Sequence, residues 1–425
     1  MHLLKIFICF SWVFIFNPTA LAQKKLLPPE RLKKAPTYRS LEEANMNKRR
    51  VYKLVLDGQK LNQVPEDIAR YVNIQELYLR ANNVTFLPDW IFSLTNLQKL
   101  MLGENSIQAL NPEISRLINL EELDLFSNKL TTIPPETSRL EKLRKLDLNW
   151  NQIISLPEEI GKLGKLESLY LERNQLERLP ESLGELLDLR ELKLRENRLV
   201  SLPGSIGKLS KLNQLTLADN RLADLPSGIG ELRQITQLDL RSNALTALPD
   251  ELSGMDGLTS LDASDNKISH ISKTVFSLPA LEILDLSSNR LSEFKPDPAS
   301  LPNLKRLEIE NNRLNDPSGI FALRTLKTLN LSRNRIERIE PDITGLANIV
   351  ELDLSSNQIY SVSKSIGMLS TLEQLDLSSN KIRLLTREIG GLKSLKKINL
   401  EKNQLSDLQK KNIRKYLPAG ITIQF

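Results

Sequence analysis

One asparagine recurs at a fixed interval through most of this 425-residue chain. The interval is 23 residues, except for a single step of 22 between Asn312 and Asn334. The series comprises Gln59, Asn82, Asn105, Asn128, Asn151, Asn174, Asn197, Asn220, Asn243, Asn266, Asn289, Asn312, Asn334, Asn357, Asn380 and Asn403. The length alone would suggest two or three domains, at about 150 residues each. Sixteen units in one register predict a single repeat architecture instead.

Each unit carries two sets of apolar residues. Before Asn151, for example, Leu143, Leu146 and Leu148 form the pattern LxxLxLxxN, whose middle alternates as a short strand does. After it, an LPxxIxxL segment over residues 156–163 has the spacing of a helical turn or an irregular coil. Because no unit can bury its own leucines, the pattern predicts a curved α/β solenoid with a parallel β-sheet on its concave face.

The asparagine stands where the chain leaves the strand. Its amide has two N–H donors and an acceptor, so it can bond both the turning backbone and the neighbouring unit. We therefore expect a ladder of asparagines along the stack.

Two departures from the repeat concern the side opposite the strands. A proline follows six residues after the asparagine position in most units up to Pro249 and is absent from the last seven. We therefore expect the convex side to change conformation near residue 250. In the unit that is one residue short, strand spacing is kept, so the convex coil should lack the residue and the curvature should change there.

With these motifs the chain resembles the leucine-rich repeat proteins. The units are similar to the 23-residue LxxLPxxI class of scribble- and erbin-type scaffolds, plant intracellular Ras-group-related proteins and many bacterial proteins, and the likeness covers residues 51–408. It implies a horseshoe of about 16 repeats that acts as a protein-binding surface or scaffold. Secreted animal and plant relatives commonly carry cysteine-rich caps, whereas the caps of this chain lack cysteine, which favours a bacterial protein.

Residues 1–22 are typical of an export signal. Lys5 precedes an apolar run over residues 6–16, and an Ala-Leu-Ala cleavage site precedes Gln23. The run is shorter than the ~20 residues of a membrane span, so we expect no integral membrane span in the mature chain. The alternative is a short hydrophobic anchor that is retained. Export would bring the protein to the periplasm, the cell surface or the medium.

Positive charge is concentrated just after this signal. Residues 24–50 hold nine Lys/Arg and three Glu, whereas the chain from residue 51 onward has 48 basic and 49 acidic residues. We interpret residues 23–38, which are basic and contain three prolines, as a solvated linker. Without aromatic platforms beyond Tyr38, the segment does not predict nucleic-acid binding, whereas a weak contact with an anionic surface stays open.

Both ends of the stack are predicted to be capped. Ser40 with Glu43 forms a capping box, which predicts a short helix within an N-terminal cap over residues 39–50. Residues 409–425 predict a closing helix and a last strand. The apolar residues expected near one face of that helix are Leu408, Ile413, Tyr416 and Leu417.

Cysteine and histidine counts exclude several classes of chemistry. The chain has one cysteine, Cys9, and two histidines, His2 and His270, and the signal would remove two of these three. Zinc sites, disulfide frameworks and cysteine nucleophiles are therefore excluded, and a Ser-His-Asp triad would depend on His270 alone. We expect a protein that is not an enzyme and has no cofactor.

The candidate site lies on the concave sheet. Residues six, four, two and one before each asparagine are exposed there by this register and do not build the core. In units two to seven, which end at Asn82 to Asn197, these positions carry aromatic, Met, Arg and Lys residues of the kinds enriched at binding hot spots. The candidate residues are Tyr78, Arg80, Met101, Asp124, Phe126, Asp147, Trp150, Tyr170, Arg173, Lys193 and Arg195. The alternative is that the aromatic residues only pack on one another.

An acidic column four residues before the asparagine offers a second pattern. Its members are Asp124, Asp147, Asp239, Asp262, Asp285, Asp353 and Asp376. Neighbours about 5 Å apart resemble the carboxylate pair of a retaining glycosidase, and they also resemble a calcium site. The stronger interpretation is structural, because Asp is common in strands of the LDLSxN type and can bond neighbouring Ser hydroxyls.

The preferred function is an exported, monomeric binding module that presents a rigid concave surface to a protein or peptide, mainly in units two to seven. One alternative is a cell-envelope adhesin or glycan binder that uses the same aromatic patch. Another is an intracellular regulatory or scaffold subunit, which requires the export interpretation to be wrong.

Overall fold

The computed structural model describes residues 26–425, so the predicted export signal lies outside the described residues. Eighteen strands of this region form one parallel sheet in which each strand pairs with the next along the chain. They are Thr37–Tyr38, Lys53–Val55, Glu76–Tyr78, Lys99–Met101, Glu122–Asp124, Lys145–Asp147, Ser168–Tyr170, Glu191–Lys193, Gln214–Thr216, Gln237–Asp239, Ser260–Asp262, Ile283–Asp285, Arg306–Glu308, Thr328–Asn330, Glu351–Asp353, Gln374–Asp376, Lys397–Asn399 and Thr422–Gln424. The predicted solenoid with a parallel sheet is confirmed.

The buried leucines explain why the sheet is continuous. From Lys53–Val55 to Lys397–Asn399, the middle residue of every strand is buried and is a leucine, or an isoleucine at Ile398. Paired strands align these residues, as Leu146 aligns with Leu169. The leucines join one hydrophobic core that runs from Ala44 to Leu417. Each unit thus buries its apolar face against its neighbours.

The asparagine ladder is confirmed. The Asn151 Nδ2 atom donates to the carbonyl of Leu148 at 3.1 Å and to that of Leu125, one unit earlier, at 2.9 Å. Its Oδ1 atom accepts from the Leu130 backbone N–H at 3.0 Å. The same three kinds of bond recur from Asn82 to Asn403. One amide per unit therefore satisfies buried backbone groups of two units.

Fifteen residues that precede these asparagines share a left-handed backbone conformation. Their φ values lie between 51° and 58° although none is a glycine. Here the chain turns sharply out of the strand, and the asparagine bonds hold the turn. Such a conformation costs about 1 kcal/mol or more for a residue with a Cβ atom. The repeat imposes this cost at every unit, whatever residue occupies the position.

Short 3₁₀ helices cover the side opposite the strands. Nine helices of five residues precede residue 255, namely Glu66–Arg70, Asp89–Ser93, Pro112–Arg116, Pro135–Arg139, Glu158–Lys162, Glu181–Glu185, Gly204–Lys208, Ser227–Glu231 and Asp250–Gly254. They begin after an extended residue that is proline in eight units and Asn111 in the other. Proline suits this place because its φ is set near the required value and no N–H is lost from the helix.

The expected change near residue 250 is confined to three units. Their convex segments are the 3₁₀ helices Lys273–Phe276 and Pro298–Ser300 and the α-helix Ser318–Phe321. Five-residue 3₁₀ helices then return at Pro341–Gly345, Lys364–Met368 and Arg387–Gly391. The convex side therefore changes conformation after residue 250, as expected.

The α-helix Ser318–Phe321 lies in the unit that is one residue short, between strands that remain in register. The short unit thus differs on its convex side, as predicted, and a change of curvature there stays a prediction. Arg338–Ile339 and Ser361–Val362 form a separate two-stranded parallel sheet.

The N-terminal segment corrects one interpretation. Residues 29–38 are not a solvated linker, because Pro29–Lys34 is an α-helix and Thr37–Tyr38 pairs with Lys53–Val55 as the first strand of the large sheet. Leu32 of the helix is buried. The Leu27 backbone N–H also donates to the Gln75 side chain at 2.9 Å. Charge and proline content suggested solvation, but the buried leucine and the free sheet edge hold the segment in place.

The predicted helix of the N-terminal cap lies at Leu41–Met46. The Ser40 hydroxyl accepts from the Glu43 backbone N–H, as the capping box requires. A 3₁₀ helix at Lys48–Arg50 leads into the first repeat strand.

At the C-terminus, the predicted closing helix is Asp407–Tyr416, and the last strand is Thr422–Gln424. Ile413 and Leu417 are buried as expected. Leu408 is 66% exposed and Tyr416 is 36% exposed, so these two do not share the buried face with Ile413 and Leu417. Leu408 stands in the first turn of the helix, two residues after the Ser406 cap. Within residues 26–425, no helix is long and apolar enough to cross a membrane.

Candidate functional site

The eleven candidate residues lie in or just after six consecutive strands of the large sheet. In the column four residues before the asparagines, Tyr78, Met101, Asp124, Asp147, Tyr170 and Lys193 align one with the next. Arg80, Phe126 and Arg195 stand two residues before their asparagines, and Trp150 and Arg173 one residue before. Neighbouring parallel strands lie about 4.8 Å apart, so the set spans roughly 20–25 Å.

Trp150 is the most exposed aromatic residue of the set, at 48%. It occupies one of the left-handed positions, with φ of 56°. Its ring meets Phe126 edge-on, with centroids 6.4 Å apart and planes at 63°. The Arg173 guanidinium lies over the ring, 3.9 Å from its centroid. A bulky aromatic residue is unusual at such a backbone position, and these contacts fix the direction of its ring.

Ion pairs hold the arginines of this region. Arg173 Nε lies 2.9 Å from Glu196 Oε2. Arg195 Nε lies 2.9 Å from Asp219 Oδ2 and 3.6 Å from Glu196 Oε1. The result is a chain of alternating charges that leads away from Trp150 across three units. These arginines are ordered before any partner arrives, although their charge is already partly compensated.

Tyr170 is held from two sides by lysines. Lys193 Nζ lies 4.6 Å and Lys145 Nζ 5.2 Å from the centre of its ring. The phenol O–H donates to Glu191 Oε2 at 2.5 Å. Burial and this hydrogen bond raise the pKa of Tyr170 to about 12, so the phenol is neutral at physiological pH. Tyr78 is similar, since burial and Glu76 raise its pKa to about 12.

Met101 and Asp124 are not available on this surface, contrary to the prediction. Met101 is 4% exposed and Asp124 is 5% exposed. Arg80 donates from Nε to Asp124 Oδ2 at 2.6 Å, two units along the chain. This bridge crosses the unit of Met101 at the level of Gly103, whose missing Cβ atom would lie 3.1 Å from Asp124 Oδ2. Arg80 and Asp124 therefore close the first part of the predicted surface.

The acidic column has a structural role. In all seven units the aspartate Oδ1 atom accepts from the backbone N–H two residues later, at 2.8–3.2 Å. Asn330 and Asn399 make the same bond in their units. The carboxylate thus satisfies the N–H group that the strand end leaves unpaired. The Ser264 hydroxyl also donates to Asp262 at 2.5 Å, as the structural interpretation expected.

Burial changes the charge state of this column. Burial, together with the neighbouring Asp124 carboxylate, raises the pKa of Asp147 to about 6 from its ordinary value of 3.8. Burial also raises the pKa of Asp239, Asp285 and Asp353. Within residues 26–425, no group of three His, Cys, Asp or Glu side chains is arranged to hold a metal ion.

Comparisons with known proteins agree with this architecture. A model described as "Leucine rich repeat" matches residues 72–130, 95–153, 118–176, 302–359 and 347–405. One described as "Leucine-rich repeat region" matches 181–295, and one for two repeat copies matches 279–321. A leucine-rich repeat protein of Leptospira interrogans is 35% identical, with 92% of this chain and 100% of that chain covered and a TM-score of 0.76.

The chain belongs to the leucine-rich repeat family.

Two solved complexes contain similar solenoids. The plant peptide hormone receptor RGFR1, solved with RGF2, is 25% identical with a TM-score of 0.70, and the alignment covers 94% of this leucine-rich repeat protein and 64% of that chain. The Drosophila Toll–Spätzle complex is 25% identical with a TM-score of 0.73, covering 86% and 52%. This chain therefore spans about half to two thirds of the length of those two chains. No curated protein matches the sequence significantly.

The ion pairs made by the candidate residues of this leucine-rich repeat protein were not predicted from the sequence. One of them could have been. Arg173 and Glu196 are one repeat apart, so their opposite charges align in one column and can be read directly from the register. Gly103 and the bridge that crosses it give no such signal, because Arg80 and Asp124 stand 44 residues apart in different columns.

Two depressions of the concave face also lie outside the aromatic region. One includes Thr216, Asp239 and Asp262, and the other includes Glu308, Asp353 and Lys397. Both depressions include members of the acidic column.

Proposed function

We propose that this leucine-rich repeat protein binds a protein or peptide partner on its concave sheet, in units two to seven, with Trp150 at the centre of the contact. The observation that carries this proposal is the exposed Trp150 ring. The Arg173 guanidinium lies over this ring, and Phe126 packs against it in an edge-on arrangement. Trp and Arg are the residue types that dominate binding energy in protein interfaces. The remaining contact residues are Phe126, Tyr170, Lys193 and Arg195, whereas Met101 and Asp124 support the surface from below.

The site is suited to binding because it is ordered beforehand. The backbone of Trp150 is held by the asparagine ladder, and the Arg173 side chain is held by Glu196. A partner would therefore immobilise few side chains on arrival, and the entropy lost on binding would be small. The exposed ring would lose its contact with water and gain contact with the partner.

The similar solenoids support the coarser part of this proposal. Two of them were solved as complexes, RGFR1 with RGF2 and Toll with Spätzle. A shared fold does not locate a site, so the choice of units two to seven rests on the side chains alone. We also infer that the protein is an exported, monomeric bacterial protein without enzymatic activity, as its sequence predicts.

Affinity capture tests the proposal. Wild-type protein and the double variant Trp150→Ala, Phe126→Ala are used as bait for culture supernatant and envelope extracts, and bound proteins are identified by mass spectrometry. The double variant should lose the partner by at least about tenfold, because it removes the exposed aromatic contact. Its melting temperature should change little, since both rings lie outside the hydrophobic core.

Tyr360→Ala provides a matched control. Tyr360 is also exposed and also carries an arginine, Arg338, 5.2 Å from its ring centre, but it lies outside the concave sheet. Capture should survive this change. Equal loss in both variants, or undiminished capture by the double variant, would contradict the proposed site. Binding to a glycan array that depends on Trp150, without any captured protein, would favour the adhesin alternative.

A further inference from the structure

Two short helices near the N-terminus carry a cluster of cations. The helix Pro29–Lys34 and the 3₁₀ helix Lys48–Arg50 together hold six basic residues and one acidic residue, Glu30. We call the six the N-terminal basic surface; they are Arg31, Lys33, Lys34, Lys48, Arg49 and Arg50. All but Lys48 are exposed.

Three hydrogen bonds place the two helices on the same side of the stack, where the strands begin. Lys53, at the start of its strand, donates from Nζ to the carbonyl of Lys33 at 3.3 Å. Asn73, three residues before the next strand, donates to the carbonyl of Arg49 at 2.9 Å. The Leu27 backbone N–H donates to Gln75, which directly precedes the same strand. The two helices that carry the six cations therefore lie on the same side of the stack.

Carboxylates of the described residues do not neutralise these cations. Within residues 26–425, no ion pair of 4 Å or less joins any of the six to a carboxylate. In the repeats, by contrast, Arg144 pairs with Glu167 and Lys211 with Asp188. The burial of Leu32 holds the helix in place although its charges repel one another. A fixed, unpaired cluster of one sign suits an anionic partner.

We propose that the N-terminal basic surface docks on an anionic phospholipid membrane. A further observation selects a membrane among anionic partners. Met46, two residues before Lys48, is 75% exposed, and an apolar side chain beside cations suits the boundary between headgroups and acyl chains.

Nucleic acid is a poorer fit for this surface. Single strands need exposed aromatic rings for stacking, and the aromatic residues of this cap, Tyr38 and Tyr52, are both partly buried. The basic surface also lies to one side of the concave sheet, so a docked protein would keep Trp150 open to a partner. The two proposals are independent of each other.

Vesicle co-sedimentation tests the membrane proposal. The full chain is mixed with vesicles of phosphatidylcholine alone or of phosphatidylcholine with about 30% phosphatidylglycerol. Binding should require phosphatidylglycerol and should be lost as added salt screens the charges. The triple variant Lys33→Gln, Arg49→Gln, Arg50→Gln should reduce the partition onto these vesicles by at least about tenfold.

A second triple variant separates the surface from total charge. Lys129→Gln, Lys208→Gln, Lys267→Gln removes the same charge from exposed positions in three separate repeats and should bind as the wild type does. Both variants leave the rest of the chain unchanged, and thermal melting checks that both are folded. Equal loss in both variants, full binding by the first, or equal binding to neutral vesicles would overturn the proposal. So would tighter binding to a duplex oligonucleotide than to the anionic vesicles.

Discussion

Two halves of the concave face share one backbone and differ in what they present. In units two to seven the outward residues are Trp150, Phe126, Tyr170 and paired arginines. In the later units the motif Asp-x-Ser-Ser recurs, as at residues 285–288, 353–356 and 376–379. Yet Trp150 and Ser356 have nearly the same φ, 56° and 54°, and both follow a buried leucine in a continuous sheet. The repeat thus sets the backbone and leaves the outward side chains free to differ.

The halves also differ in how far their side chains reach. In the second half, Asp353 and Asp376 bond their own backbone two residues later, and the pattern is local. In the first half, Arg80 reaches two units along to Asp124, and the charge chain from Arg173 to Asp219 crosses three units. Long-range contacts of this kind shape a specific surface, whereas a local pattern repeated in each unit gives a uniform one.

If the two halves share one scaffold, removing the ladder asparagine should be equally damaging in each. Asn151→Ala and Asn357→Ala should each lower the free energy of unfolding by about 3 kcal/mol or more, since each leaves several buried backbone groups unpaired. Urea unfolding followed by circular dichroism measures this.

Aspartate in place of either ladder asparagine should be at least as harmful as alanine, because it would point a carboxylate at carbonyl oxygens. A difference of more than about 1 kcal/mol between Asn151→Ala and Asn357→Ala would break the equivalence of the two halves.

Asp147→Asn should stabilise the protein at neutral pH, by about 2 kcal/mol. Burial raises the pKa of Asp147 to about 6, so the folded chain holds a proton that the unfolded chain releases above its ordinary pKa of 3.8. The contribution of Asp147 to the free energy of unfolding therefore falls as the pH rises from about 4 to 6. Asparagine does not titrate, so the variant avoids this decrease. Asn330 shows that asparagine can accept the same backbone N–H.

Thermal melting at pH 7 and at pH 3.5 measures the effect of Asp147→Asn, which should vanish at the lower pH. Asp353→Asn should act in the same direction, because burial raises the pKa of Asp353 too. A variant of Asp147 that melts lower at pH 7 would show that its charge stabilises the first half.

Arg80→Ala should destabilise the protein by about 1 to 2 kcal/mol, because it leaves the buried Asp124 carboxylate without its cation while Arg80 itself is partly solvated. Arg306→Ala in the second half should change the free energy by no more than about 0.5 kcal/mol, since its pair with Glu308 is 4.0 Å long and exposed on the arginine side. Chemical unfolding measures the free energy of unfolding of both variants. Equal losses in the two variants would show that the two halves do not differ in this respect.

Much of the fold could be predicted because every unit repeats the same sequence pattern. The strand positions, the asparagine bonds and the helix after Ser40 all follow from spacings of a few residues, and those spacings recur or match a known cap. The outward direction of Trp150 also followed from the register. The interpretation of residues 23–38 as a linker was wrong for the residues that the structure describes. Charge and proline content do not reveal that the edge of the sheet is free to pair with another strand.

The sequence by itself determined the solenoid, since a leucine at a fixed period has only the neighbouring unit in which to be buried. It also determined which side chains stand on the concave face, because alternation along a strand allows one choice. Only the tertiary structure decided which of them stay open. Met101 and Asp124 are buried, and an arginine from two units away bonds Asp124 at the place where Gly103 has no side chain. That outcome depends on the shape of a contact between distant residues, for which a periodic pattern carries no signal.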